Sequence, residues 1–180
     1  MSNDPDQTLV ERWRSGDQLA FTELVVRYQR PIYNAAFWIL RKAEDANDIA
    51  QAVFLKVAER LDEYDPQFKF FSWIYRIAVN ESLNLLRRNG HEEGLDEEVE
   101  LPGLDSADPE RIASAAQVSR RIQDALMSMA TNDRMVLMLR HFSDCSYQEI
   151  GDILGLDEKT VKSRLFEARH RLRVLLKDLR

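Results

Sequence analysis

Five polar residues in the stretch FFSWIYRIAVNESLNLLRR share one side of any helix it forms. Arg76, Asn80, Asn84, Arg87 and Arg88 recur at three- and four-residue spacing, with Trp73 at their head. A guanidinium pairs with phosphate, a carboxamide matches a base edge, and an indole stacks on a base that has left the duplex. A flipped base also needs a pocket whose polar groups fit its edge. Two readings stand: a nucleic-acid row, or a surface helix with Trp73 in the core. Phe68, Phe70 and Phe71 beside Lys69 divide the same way, into a stacking platform or a buried cluster.

A second set lies near the C-terminus, in YQEIGDILGLDEKTVKSRLFEARHRL. Lys159, Lys162, Phe166, Arg169, Arg173, Lys177 and Arg180 fall on one contiguous helical face. Val161, Leu165, Ala168, Leu172, Leu176 and Leu179 make the apolar stripe beside it. A basic face is commonly no more than solvated. An aromatic at Phe166 in its middle, however, is unusual for a bland surface. Lys159, Thr160, Lys162, Ser163 and Phe166 come early enough in the helix to reach base edges, and Arg169 and Arg173 suit phosphate. A third set is weaker. Asp48, Gln51, Ala52, Leu55 and Glu59 oppose the apolar face of DANDIAQAVFLKVAERL. Leu55 among polar neighbours is a protein-contact candidate or a single surface leucine.

The elements that must hold these residues are helical, and no two-residue alternation is evident. Leu9, Val10 and Trp13 predict a short helix ended near Gly16, and Asp17 caps a second. Pro31 predicts the start of a third, through Ile32, Ala36 and Ile39. Further helices are expected at about 45–61, 71–88, 111–127, 132–142, 147–154 and 158–178. Tyr147, Ile150 and Leu154 line a short helix, Gly155 supplies a left-handed turn, and Asp157 caps the next helix. That order is a helix-turn-helix, whose second helix enters the major groove. The fold class is all-α, with two small helical domains joined by a linker.

The chain has 180 residues and a net charge of −6, which at face value speaks against a nucleic-acid partner. Position changes that inference. Residues 1–90 carry −1, residues 91–110 carry −9 and residues 111–180 carry +4. The acidity belongs to HEEGLDEEVELPGLDSADPE, which reads as a solvated tether between two modules. A single cysteine, Cys145, excludes an internal disulfide and a multi-thiolate metal site, and it reads as a structural thiol. His91, His141 and His170 show no metal-ligand spacing, and no nucleophile motif or phosphate loop appears. No catalytic residue, metal or cofactor is therefore expected, and the chain is not expected to be an enzyme. The polar N-terminal stretch lacks a signal-peptide layout and no apolar run suits a membrane span, so a cytoplasmic protein without membrane insertion is expected.

DANDIAQAVFLKVAERLDEY, FSWIYRIAVNESLNLLRR and SYQEIGDILGLDEKTVKSRLFEARHRLR together resemble an extracytoplasmic-function (ECF) sigma factor of bacterial RNA polymerase, of the sigma-E-like kind. The resemblance runs from about Leu9 to Leu179. It implies a region 2 domain at 1–90, an acidic linker at 91–111 and a region 4 domain at 112–180. It implies docking of Asp48, Gln51, Ala52 and Leu55 on the β′ clamp helices, with the β flap as a second polymerase contact. Ala52 stands where an acid is usual. Trp73, Arg76, Asn80, Asn84, Arg87 and Arg88 would serve the minus-ten element, with Asn80 and Asn84 near the captured base. Lys159, Thr160, Lys162, Ser163, Phe166, Glu167, Arg169 and Arg173 would serve the minus-thirty-five element. Glu167 is a departure from the family pattern that bears on sequence preference, since a carboxylate can accept from cytosine N4. Promoter DNA, core RNA polymerase and an anti-sigma factor are the implied partners. The linker is expected to occupy basic polymerase surface that RNA later claims. The alternative is a stand-alone helix-turn-helix regulator whose N-terminal part binds a ligand or dimerises.

Overall fold

The computed structural model describes residues 5–89 and 120–178. The tether expected at 91–111, and the start of the helix expected at 111–127, lie outside them. Eight helices follow one another among the described residues, with no strand. The first four are α1 (Asp6–Arg14), α2 (Gln18–Leu40), α3 (Ala43–Glu59) and α4 (Phe70–Arg88). The second group is α5 (120–128), α6 (Thr131–His141), α7 (Tyr147–Leu154) and α8 (Glu158–Asp178). A single 3₁₀ turn, Leu61–Glu63, opens the loop before α4. The chain is all-α, with two helical units.

One expectation is overturned. Pro31 does not begin a third helix, because α2 runs unbroken through it to Leu40. The Asp17 carboxylate caps α2 by accepting from the Leu19 N–H at 3.0 Å, as expected. Ala20, Leu24, Tyr28, Ile32 and Ala36 then form a buried stripe at four-residue steps across the proline. An interior proline costs ~3 kcal/mol through its missing N–H and its ring. Two halves that bury one continuous stripe recover more than that, at ~1.5–3 kcal/mol per large apolar side chain.

In the first unit, α2, α3 and α4 pack on one another around Leu24, Ile32, Val53, Ile74 and Ala78. Asp6 ties α1 to α2 through the Arg27 guanidinium at 2.5 Å and the Tyr28 hydroxyl. Lys56 of α3 pairs with Glu81 of α4 at 2.6 Å. In the second unit, α8 lies on α6 and α7 through Val161, Leu165 and Ala168.

The two units touch. α6 packs on α2 and α7 packs on α4, so one apolar core runs from Leu9 to Ala168 across the seam. Residues 133–139 of α6 are all buried, as befits a helix enclosed on every side.

Candidate nucleic-acid interface

On α4, Arg76, Asn80, Asn84, Arg87 and Arg88 are all exposed and share one arc, as their spacing requires. Trp73 answers to both of its readings. Its ring is half-buried, 5.3 Å from the Tyr64 centroid and 5.8 Å from Phe70, and it also borders open space. That space is a cavity of about 430 Å³ whose lining includes Tyr64, Phe68, Ser72, Trp73, Arg76 and Asn80. The Ser72 hydroxyl is buried there with no hydrogen-bond partner among the described residues. A buried unsatisfied hydroxyl beside a carboxamide, a guanidinium and three aromatic rings suits a planar polar ligand such as a base.

The loop between the 3₁₀ turn and α4 shapes this cavity. Arg14 of α1 donates to the carbonyls of Leu61 (3.0 Å) and Tyr64 (2.8 Å). The Tyr64 hydroxyl donates to the Phe68 carbonyl at 2.7 Å, and the Gln67 N–H donates to Asp65 at 2.9 Å. The phenylalanines divide accordingly. Phe70 is core, Phe71 is half-buried against Tyr75, and Phe68 stands out at the rim with 54% of its surface exposed.

On α3, Asp48, Gln51 and Leu55 are exposed and Ala52 is half-buried, all within one arc. Leu55 keeps 67% of its surface in solvent. Beside them runs a groove between α2 and α3, lined by Gln29, Tyr33, Asn47, Gln51 and Phe54. Sequence reasoning missed the contribution of α2 here. Placing a helix break at Pro31 hid that Gln29 and Tyr33 lie on one continuous helix.

The helix-turn-helix is built from local rules. Ser146 and Glu149 form a capping box at the start of α7, with bonds of 3.2 and 2.7 Å. Gly155 closes α7 at φ +67°, a conformation that favours glycine. A Cβ on Gly151 would stand 2.6 Å from the Leu156 carbonyl oxygen, so only glycine lets the turn close this tightly. The Asp157 carboxylate caps α8 by accepting from both the Thr160 N–H and its hydroxyl, each at 2.8 Å. These bonds hold the Asp157 carboxyl below the usual range.

Lys159, Lys162, Ser163, Phe166, Glu167, Arg169 and Arg173 are exposed along α8. Phe166 is the barest, with 75% of its surface in solvent. Thr160 differs, being half-buried with its hydroxyl already donated to Asp157. Lys162 pairs with Glu158 at 2.6 Å and lies 5.5 Å from the Tyr147 ring, and Glu167 faces Arg171 at 3.8 Å. The Arg169 guanidinium donates to His141 Nε2 at 3.4 Å. Burial and the two arginines Arg169 and Arg140 lower the His141 pKa, keeping that ring neutral as an acceptor. Cys145 is buried, and burial pushes its thiol up to about 12. Among the described residues no cluster of His, Cys, Asp and Glu could hold a metal, and no helix is long and apolar enough to cross a membrane.

Both faces fall within known family patterns. Residues 24–92 match the Sigma-70 region 2 model, and residues 119–172 match the Sigma-70 region 4 model. The ECF sigma factor SigW of Bacillus subtilis is 32% identical over 94% of this chain and 96% of its own length. The chain belongs to the ECF sigma factors. The ECF sigma-E factor of Escherichia coli K12 is 32% identical over 91% of this sigma factor and 90% of its own chain. Among solved structures, CnrH in complex with the cytosolic domain of CnrY superposes with a TM-score of 0.72 at 27% identity. That match covers 97% of this sigma factor and 99% of the CnrH chain. The α4 row lies in the region 2 match and the helix-turn-helix in the region 4 match, in family order.

Proposed function

We propose that this sigma factor divides its work between two faces. The unit of residues 1–90 docks on core RNA polymerase and opens the minus-ten element, and the unit of residues 112–180 reads the minus-thirty-five element. Asp48, Gln51, Ala52 and Leu55 on α3 meet the β′ clamp helices, and the second unit meets the β flap. The observation that carries this reading is the exposed Arg and Asn row on α4, set over a cavity with an unsatisfied buried hydroxyl. Arg76, Arg87 and Arg88 neutralise phosphate while Asn80 and Asn84 read an unstacked base beside Trp73. In α8, Lys162, Ser163 and Phe166 face base edges. Lys159, Arg169 and Arg173 hold phosphate, Thr160 secures the helix start, and Glu167 shades sequence preference.

The protein acts in the cytoplasm as an initiation factor and is not itself a catalyst. A protein partner of the anti-sigma kind follows from the likeness to CnrH, which is solved with the cytosolic domain of CnrY. An apolar groove of about 400 Å³ at the seam supports it, with Pro31, Ala35, Trp38, Phe71, Tyr75 and Met138 among its walls. A regulatory helix with one apolar face fits such a groove. The deciding experiment is run-off transcription sequencing with purified core polymerase and this protein. Specific start sites with two shared upstream elements are expected. Site-specific duplex binding without polymerase-dependent initiation would instead support a stand-alone regulator.

A further inference from the structure

The end of α6 reaches the basic face of α8 through two residues that both carry positive charge when protonated. Arg169 donates through Nε to His141 Nε2 at 3.4 Å. His141 closes α6, and both side chains are exposed, so the pair meets solvent. Lys162 lies seven residues before Arg169 on α8, two turns away on the same flank. Its Nζ stands 5.5 Å from the centre of the Tyr147 ring, and the Arg140 guanidinium stands 5.3 Å from it. Arg140 is fixed beside His141 by donating to the Cys145 carbonyl at 2.8 Å. These contacts join the last turn of α6 to one strip of the α8 face. Along that strip every ionisable group but the imidazole and the phenol is cationic at pH 7.

A neutral imidazole has one ring nitrogen that accepts, and at His141 it is Nε2, taken by Arg169. Burial, then Arg169 and Arg140, hold the pKa of this ring below its ordinary value. Those two arginines, one on α8 and one on α6 itself, are the charged groups that act on it. From α2 and α7, which also pack on α6, no charge bears on it among the described residues. The free protein therefore keeps His141 neutral near pH 7, and Arg169 stays bound to it. An anion reverses the balance. A phosphate between the two side chains accepts from both, draws the Arg169 N–H away and favours the charged imidazole. The ring takes one proton from solvent, and its Nε2 then donates where it had accepted.

We propose that His141 is a proton-linked phosphate contact of the upstream-element interface: as a neutral ring it positions Arg169, and as an imidazolium it binds the same phosphate beside Arg169. This rests on the reading of α8 as the helix that meets the minus-thirty-five element. Linkage fixes the sign. The complex holds one more proton than the free partners, so affinity rises as pH falls. Each unit by which binding raises one group's pKa is tenfold in Kd once pH lies below the free value.

The test uses holoenzyme reconstituted from core polymerase and the full-length chain. Its ligand is a closed promoter duplex, defined by run-off sequencing and labelled with a pH-insensitive dye. Anisotropy at about pH 8 and about pH 5.5, at one ionic strength, gives a ratio of Kd values. The same ratio for a duplex with a scrambled upstream element carries the pH dependence of every other contact. Wild type should exceed that reference by roughly threefold to tenfold. His141→Gln cannot take the charge and should lose the excess. His141→Lys, charged at both pH values, should bind at the higher pH about as tightly as wild type does at the lower one. Native circular dichroism is expected of both variants, since His141 is exposed at a helix end. A wild type without the excess, an excess that His141→Gln retains, or no gain at the higher pH from His141→Lys would overturn the proposal while the reading of α8 stands. Equal binding of the intact and scrambled duplexes at both pH values would defeat the reading of α8, and the proposal with it.

Discussion

Leu55→Ala offers a quantitative test of docking through α3. Leu55 keeps 67% of its surface in solvent, so about two thirds of its apolar burial is left to be gained on a partner. Leucine to alanine deletes three carbons worth ~0.8 kcal/mol each when fully buried, ~2.4 kcal/mol in all. Two thirds of that is ~1.6 kcal/mol, a weakening of about fifteenfold in Kd. The free protein should be nearly unaffected, within ~0.5 kcal/mol, because the side chain contributes little to the fold. Fluorescence anisotropy of labelled sigma factor titrated with core polymerase measures the change. The loss should persist at high salt, since it is apolar in origin. Leu19→Ala is the matched control, because Leu19 of α2 is 71% exposed and lies outside the α3 arc. A Leu55→Ala Kd within twofold of wild type, or an equal loss from Leu19→Ala, would refute docking through this arc.

Five further outcomes follow from the same geometry. Gly151→Ala should destabilise the protein by ~2 kcal/mol or more in urea unfolding, because its Cβ meets backbone at 2.6 Å with no side chain to yield. Asp157→Ala should lower Tm at pH 7, and the difference from wild type should shrink as pH is taken down below ~3.9. The folded carboxyl titrates below its unfolded value, so its stabilisation is present above ~3.9 and is lost as pH falls through the lower folded value. Cys145, with its thiol raised to about 12, should react with iodoacetamide at pH 8 on the order of a thousandfold more slowly than an exposed cysteine, until the protein unfolds. Lys162→Ala should reduce initiation at promoters that depend on the upstream element by roughly tenfold. Asn80→Ala should impair opening, read by permanganate footprinting, more than closed-complex binding.

Much of this was legible from local rules. Asp17, Gly155 and Asp157 each mark a boundary because cap chemistry acts within a few residues and needs no tertiary partner. The α8 stripe of Val161, Leu165 and Ala168 is buried as its spacing implies. Pro31 misled because breaker rules describe a helix in isolation, whereas this proline is carried by core contacts on both sides of it. Ile77 shows a subtler limit. It falls in the arc of Arg76, Asn80 and Asn84 yet is only 8% exposed, since part of that arc lies in the cavity wall. Periodicity gives an angle around a helix and not what stands opposite.

Arg134 shows where sequence reasoning stops. In TNDRMVLMLRH it reads as a polar residue in the first turn of an amphipathic helix. No spacing rule separates an arginine in solvent from one that donates to carbonyls at the ends of two other helices, Trp38 of α2 and Met127 and Met129 at the end of α5. The same holds for charge. Summing residues over stretches assigned the acidity to the tether, and by count that is correct. Yet two carboxylates that lie close to α4, Glu149 on Lys69 and Asp152 in the wall of the cavity, belong to a unit of net positive charge. A Coulomb interaction depends on separation and local dielectric, so a sum over a stretch of sequence does not say which charges meet.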